Sequence, residues 1–152
     1  LHAQPGWQEL KPRNGGFSVA MPGQARTQTL NTKGSPLTTY TVGTRLGSFA
    51  VGVSEPDPNQ AQNARPEIVF DRLRDAQVKP VKGKVMEERK ETIDGHPGRE
   101  IRIETDKKVW IRTRFYLVDK KLYQLTMTGP QEWVVGKEAD HFFDSFKLVE
   151  KK

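Results

Sequence analysis

At 152 residues the chain has the size of one domain with one core, and its apolar residues, 34% of the total, fall in periodic runs, which excludes a disordered chain despite 29% charged residues. The absence of cysteine excludes disulfides, thiolate metal sites and cysteine nucleophiles, and no apolar run approaches the ~20 residues of a membrane helix. Twenty-five Lys and Arg against nineteen Asp and Glu leave a net charge of +6, which favours anionic partners but falls short of a dedicated nucleic-acid binder.

Leu1-His2-Ala3-Gln4 suits what remains around a signal-peptide cleavage site, with an arbitrary boundary as the alternative. Trp7 to Leu10 and Phe17 to Met21, separated by Asn14-Gly15-Gly16 and closed by Pro22-Gly23, read as a hairpin-like start. Thr27 to Leu30, Thr38 to Val42 and Ser48 to Val53 continue as an antiparallel meander, broken by Lys33-Gly34-Ser35-Pro36 and Gly43 to Gly47. Glu55-Pro56-Asp57-Pro58-Asn59 stops the sheet, since two prolines remove ladder donors. A helix follows, with Asn63 as N-cap, Pro66 in its first turn and Val69, Phe70, Leu73 and Ala76 as its apolar stripe; Glu67, Asp71, Arg72, Arg74 and Asp75 form the outer face.

Strands return at Val85 to Ile93, Gly98 to Thr105, Lys108 to Val118 and Lys121 to Thr128, the last two joined tightly by Asp119-Lys120. Glu132 to Ser145 reads as a closing helix with Val135, Ala139, Phe142, Phe143 and then Phe146 at helical spacing. No repeat or long linker divides the chain, so residues 1–152 form a single domain, with 1–6 and 149–152 as loose tails.

Several constellations could carry chemistry. His2 lies at a loose end; His141 stands beside Asp140, Asp144 and Ser145, a superficial triad whose members sit on successive turns of one helix, where a base is rarely held between nucleophile and carboxylate. His96 with Asp94 and Glu100 is the weak metal candidate, against a plain turn in which Asp94-Gly95 and Pro97-Gly98 supply the dihedrals and His96 sits at the tip. The glycines between Gly43 and Gly52 match no phosphate-binding spacing. Lys79, Lys82, Lys84, Arg89 and Lys90, interrupted by Glu87 and Glu88, read as a solvated edge.

The central strands offer more. Antiparallel pairing projects Arg102, Trp110, Arg112, Arg114, Gln124 and Thr126 from one sheet face, a cationic and aromatic surface suited to an acidic protein or another anionic ligand; the alternative is a face satisfied by cross-strand pairs to Glu100 or Glu104, or covered by a helix.

Trp7, the GGFSVAMPG segment from Gly15 to Gly23, the meander, the helix after a Pro-rich break, GHPGRE, RTRFYLVDKKLYQLTMTG and a final helix ending FFDSFKL together resemble the PsbP-like superfamily, including its bacterial PsbP/DcrB-type members. Phe17, Pro22, Gly98, Arg114, Tyr116, Tyr123 and Ser145-Phe146 stand where that resemblance has its landmarks, and these are fold positions. The resemblance implies an α/β/α sandwich and a binding or scaffold role, with no particular partner. The fold class expected is α+β, a central antiparallel sheet of about six or seven strands with two main helices. The expected function is a non-catalytic binding or accessory domain, extracytoplasmic (periplasmic, secreted or membrane-anchored through a removed N-terminal segment), with no cofactor; the alternatives are a small hydrolase or metal-dependent enzyme using His96 or His141, and a structural module of an envelope assembly.

Overall fold

The computed structural model describes residues 6–32, 35–55 and 65–149. The expectations for His2 and the N-terminal remnant, the Lys33-Gly34 turn, the breaker from Pro56 to Asn59, the Asn63 cap and the last three residues of the tail lie outside them.

Among the described residues ten strands fall into two sheets. β1 (Gln8–Leu10), β2 (Phe17–Met21) and β10 (Lys147–Leu148) make a small sheet in the order β1-β2-β10. β3 (Arg26–Thr32), β4 (Ser35–Gly43), β5 (Ser48–Ser54), β6 (Lys84–Ile93), β7 (His96–Glu104), β8 (Trp110–Val118) and β9 (Lys121–Gly129) make a seven-stranded antiparallel sheet in the order β3-β4-β5-β9-β8-β7-β6. β1 and β2 pair antiparallel as the hairpin-like start expected, but they stand apart from the meander, and β2 pairs on its other side with β10 at the end of the chain.

Each face of the large sheet is covered by a different helical layer. Helix α1 (Pro66–Val78) starts with Pro at its first turn after Arg65, and buries Phe70 against Ile101, Ile103, Phe115 and Leu122. Phe70 stacks on Phe115 with ring centroids 6.2 Å apart. The buried stripe differs from the expected one: Ala76 is exposed, and Gln77 faces the sheet and accepts a hydrogen bond from the Thr113 hydroxyl.

The opposite face carries the larger core, in which Phe49, Val51, Tyr123, Leu125 and Met127 meet Val134, Ala139, Phe142, Phe143 and Phe146, with Phe17, Val19 and Met21 of the small sheet. The expected single closing helix is two, α2 (Gln131–Val134) and α3 (Lys137–Asp144). Gly136 is extended at the junction, and a Cβ there would come within 2.8 Å of the Glu132 carbonyl.

Candidate functional site

The expected binding face is built by strand register. Arg102 pairs with Arg112, Glu100 with Arg114 and Glu104 with Trp110, so all six side chains leave β7 and β8 on the same side. That side lies under α2 and α3. Arg112 is 1% exposed, Arg114 5% and Trp110 7%, and Glu100 among them is 1% exposed.

Glu100 is the hub. Its Oε1 accepts hydrogen bonds from Arg112 Nε at 3.0 Å, Arg114 Nε at 3.0 Å and Arg114 Nη2 at 2.7 Å. Oε2 accepts from Arg102 Nε at 3.2 Å and lies 3.3 Å from Arg89 Nη2. The arginines then reach the closing helices. Arg112 donates to the Val134 carbonyl at 3.1 Å and to Asp140 at 3.0 Å, Arg114 donates to Asp144 at 3.5 Å, and both guanidiniums lie over the Phe143 ring. Trp110 donates its indole N–H to Glu104 at 3.2 Å.

Burial alone would push the Glu100 carboxyl up. The charges of Arg112 and Arg114 outweigh it, helped by the Arg114 hydrogen bond and by Arg89, and hold Glu100 below the ordinary carboxylate range. Arg114 is correspondingly raised: desolvation opposes its charge, but Glu100 more than offsets it.

Arg112, Arg114 and Trp110 are therefore interior groups, and the expectation that they present a ligand surface is corrected. Desolvating an ion-paired face is offset only where its donors and acceptors are matched, and among the described residues no buried side-chain polar atom lacks a partner. Gln124 is corrected too. It pairs with Phe115 and Gly52, and so stands with Thr126 on the opposite face, the α1 side. The two-residue turn at Asp119-Lys120 pairs Val118 with Lys121, which sets even residues of β8 level with odd residues of β9.

A second network that sequence reasoning missed closes the α1 side. Arg99 donates to Glu67 and Asp71 of α1 at 2.6 Å each and to Glu88 of β6 at 2.9 Å, with its guanidinium over Phe70. Arg74 also reaches Glu88, at 3.0 Å. The hydrogen bond from Arg99 is the main cause holding the Asp71 carboxyl below its ordinary value. The signal was present in the alternation that sets Arg99 with Ile101 and Ile103, and in the i, i+4 spacing of Glu67 and Asp71 on α1.

The histidine constellations resolve without chemistry. Asp140 and Asp144 are engaged by Arg112 and Arg114. The Ser145 hydroxyl accepts from the Ala20 amide at 2.8 Å and donates to the Phe142 carbonyl at 2.8 Å, while His141 packs edge-on to Trp7 with ring centroids 4.6 Å apart. These groups tie α3 to β2 and β8; they do not form a triad.

His96 is not at a turn tip. Asp94 and Gly95 alone form the turn, with φ of 47° and 82°, and His96 is the first residue of β7, paired with Ile93. Pro97 and Gly98 belong to the strand. Gly98 is glycine for proximity, since a Cβ would lie 2.5 Å from the Tyr116 ring and 2.6 Å from the Phe115 carbonyl. Glu100 is held among arginines, so Asp94, His96 and Glu100 do not converge, and among the described residues no group of three or more His, Cys, Asp or Glu is placed to hold a metal. Of the basic run beyond α1, Lys79, Lys82, Lys84 and Lys90 are exposed, and Arg89 turns to Glu91 and Glu100.

A groove of about 950 Å3 opens at one end of the large sheet, where the β6–β7 and β8–β9 turns meet the start of β2 and the residues after α3. His96, Asp94, Asp119, Lys120, Tyr123 and Leu148 line it. Tyr123 donates its hydroxyl to the Gly15 carbonyl at 3.1 Å. No helix among the described residues is long and apolar enough to cross a membrane.

Neither a family model nor a curated protein matches the sequence. The fold does match solved structures. PsbP from the cyanobacterium Synechocystis sp. PCC 6803 superposes with a TM-score of 0.64 at 12% identity, covering 95% of this chain and 93% of that one. A Pseudomonas aeruginosa protein described as of unknown function and a putative regulator superposes with a TM-score of 0.52 at 12% identity, covering 96% and 98%. With its seven-stranded antiparallel sheet between α1 and the closing helices, the chain has the PsbP-like fold.

Proposed function

We propose that this chain is a non-catalytic accessory domain that binds another protein at the groove beside His96, outside the cytoplasm. The observation that carries the reading is the commitment of the would-be catalytic groups. Glu100 is buried among arginines, and Ser145, Asp140 and Asp144 are engaged in bonds that tie α3 to β2 and β8, while the turn-lined groove keeps a polar rim facing solvent. Asp94, Asp119 and Glu55 share that groove with Lys120, Lys121 and His96. Such mixed charge suits a protein surface with charges of both signs. The PsbP-like resemblance supports both the accessory role and the extracytoplasmic location.

The test is site-specific photo-crosslinking in the native host, with the probe at Lys120 or, at the opposite end of the sheet, at the 56% exposed Leu46. A discrete adduct is expected from Lys120 and lost with Asp94→Lys. Equal labelling from both positions, or an adduct indifferent to that reversal, refutes the assignment. A fusion of the full gene to a reporter active only outside the cytoplasm checks the location.

A further inference from the structure

The two edges of the large sheet are built differently. β6 is irregular, with its register shifting between Val85 and Glu87, and Lys84, Glu87, Glu88, Arg89, Lys90 and Glu91 crowd it with charge. These are the devices by which an edge strand avoids pairing with another chain. β3 at the other edge has none of them. It runs for seven residues, RTQTLNT, in unbroken register with β4, with Arg26 as its one charge and without proline or glycine. Arg26 to Leu30 are all exposed, and Leu30, 47% exposed, is a large apolar side chain on that open edge. The threonines are good strand formers and hold the edge extended.

We propose that β3 is a homodimerisation edge, pairing antiparallel with β3 of a second copy about a two-fold axis through Thr29. The sequence is self-complementary in that register. Thr29 faces the second copy's Thr29, Gln28 faces Leu30, and Arg26 faces Thr32. The two Leu30 side chains become diagonal neighbours on one sheet face and cover one another. The two Arg26 side chains stand six residues apart along the strands, about 20 Å, well beyond the screening length of roughly 8 Å at physiological salt. Even residues meet even residues, so the sheets continue into one another with both α1 helices on the same face. This surface is separate from the groove beside His96.

The chain's lack of cysteine makes the register testable with the intact protein. Directly opposed antiparallel residues have Cα atoms about 4.5–5.5 Å apart, inside the disulfide range. Thr29→Cys therefore cross-links two copies under mild oxidation, whereas Thr27→Cys, whose copies lie four residues or about 13 Å out of register, does not. Sedimentation velocity over a wide concentration range shows reversible dimerisation, and Leu30→Lys weakens it about tenfold while leaving the circular dichroism unchanged. Equal cross-linking of both cysteine variants, or a chain that stays monomeric at the highest concentration with Thr29→Cys unlinked, overturns the proposal. The latter result is the one expected if the edge receives an extended segment of a different protein.

Discussion

Glu100 shows how one carboxylate can decide the fate of a sheet face. Without it, Arg112 and Arg114 would be neighbouring cations whose burial under α2 and α3 is offset mainly by Asp140 and Asp144 at the edge of the cover. Glu100→Ala is expected to destabilise the protein by about 3–5 kcal/mol, because two buried guanidiniums lose the buried carboxylate they share and keep the more exposed Asp140 and Asp144. Urea unfolding at neutral pH measures this. The sign with pH follows from the direction of the shift. A carboxyl held below its unfolded value, about 4.3, contributes its full stability above that value and loses it as pH falls through the lower, folded value. The midpoint should therefore be flat from neutrality to about pH 5 and drop below pH 4, and the Glu100→Ala variant should show a shallower acid limb. An equally steep limb in the variant would assign the acid sensitivity to other carboxylates, such as Asp71.

At the scale of elements, alternation was readable where a strand lies between neighbours, and it put Arg102, Trp110, Arg112 and Arg114 on one side correctly. Their cover was harder to read. Only the tertiary placement of α3 shows that Asp140 and Asp144 stand over Arg112 and Arg114, and that Phe143 lies against both. Gln124 was misplaced because the parity of a hairpin depends on the turn, and a two-residue connection exchanges odd for even. The closing helix was overextended because its apolar spacing continues across Gly136, whose extended backbone interrupts it. The β6–β7 connection separates the two uses of glycine that sequence alone merges. Gly95 has φ of 82°, so Gly95→Ala is strained by backbone conformation and should cost about 1 kcal/mol. Gly98 is an ordinary strand residue under the Tyr116 ring, and Gly98→Ala should cost more, roughly 1–3 kcal/mol, through overpacking against a backbone carbonyl that cannot withdraw. Paired thermal melts order the two, and a larger loss for Gly95→Ala would reverse the roles assigned here.

For the whole molecule, the question is whether the two cores on opposite faces of the sheet melt together. They share β7, β8 and β9: Ile101, Phe115 and Leu122 point to α1, while Glu100, Arg114 and Tyr123, next to them in sequence, point to α3. Loss of one face removes the support for the backbone that carries the other, so the two should be coupled. Trp7, Trp110 and Trp133 all belong to or pack on the core that faces α3, which makes tryptophan fluorescence a reporter of that side alone. Phe70→Ala empties a fully buried site on the α1 side and should cost about 3–5 kcal/mol. If the faces are one cooperative unit, fluorescence and far-ultraviolet circular dichroism will report the same lowered midpoint for this variant, although no tryptophan lies near the cavity. If α1 and its core unfold independently, fluorescence will keep the wild-type midpoint while dichroism acquires an earlier step, and Arg99 with its carboxylates would then be the seam along which the molecule divides.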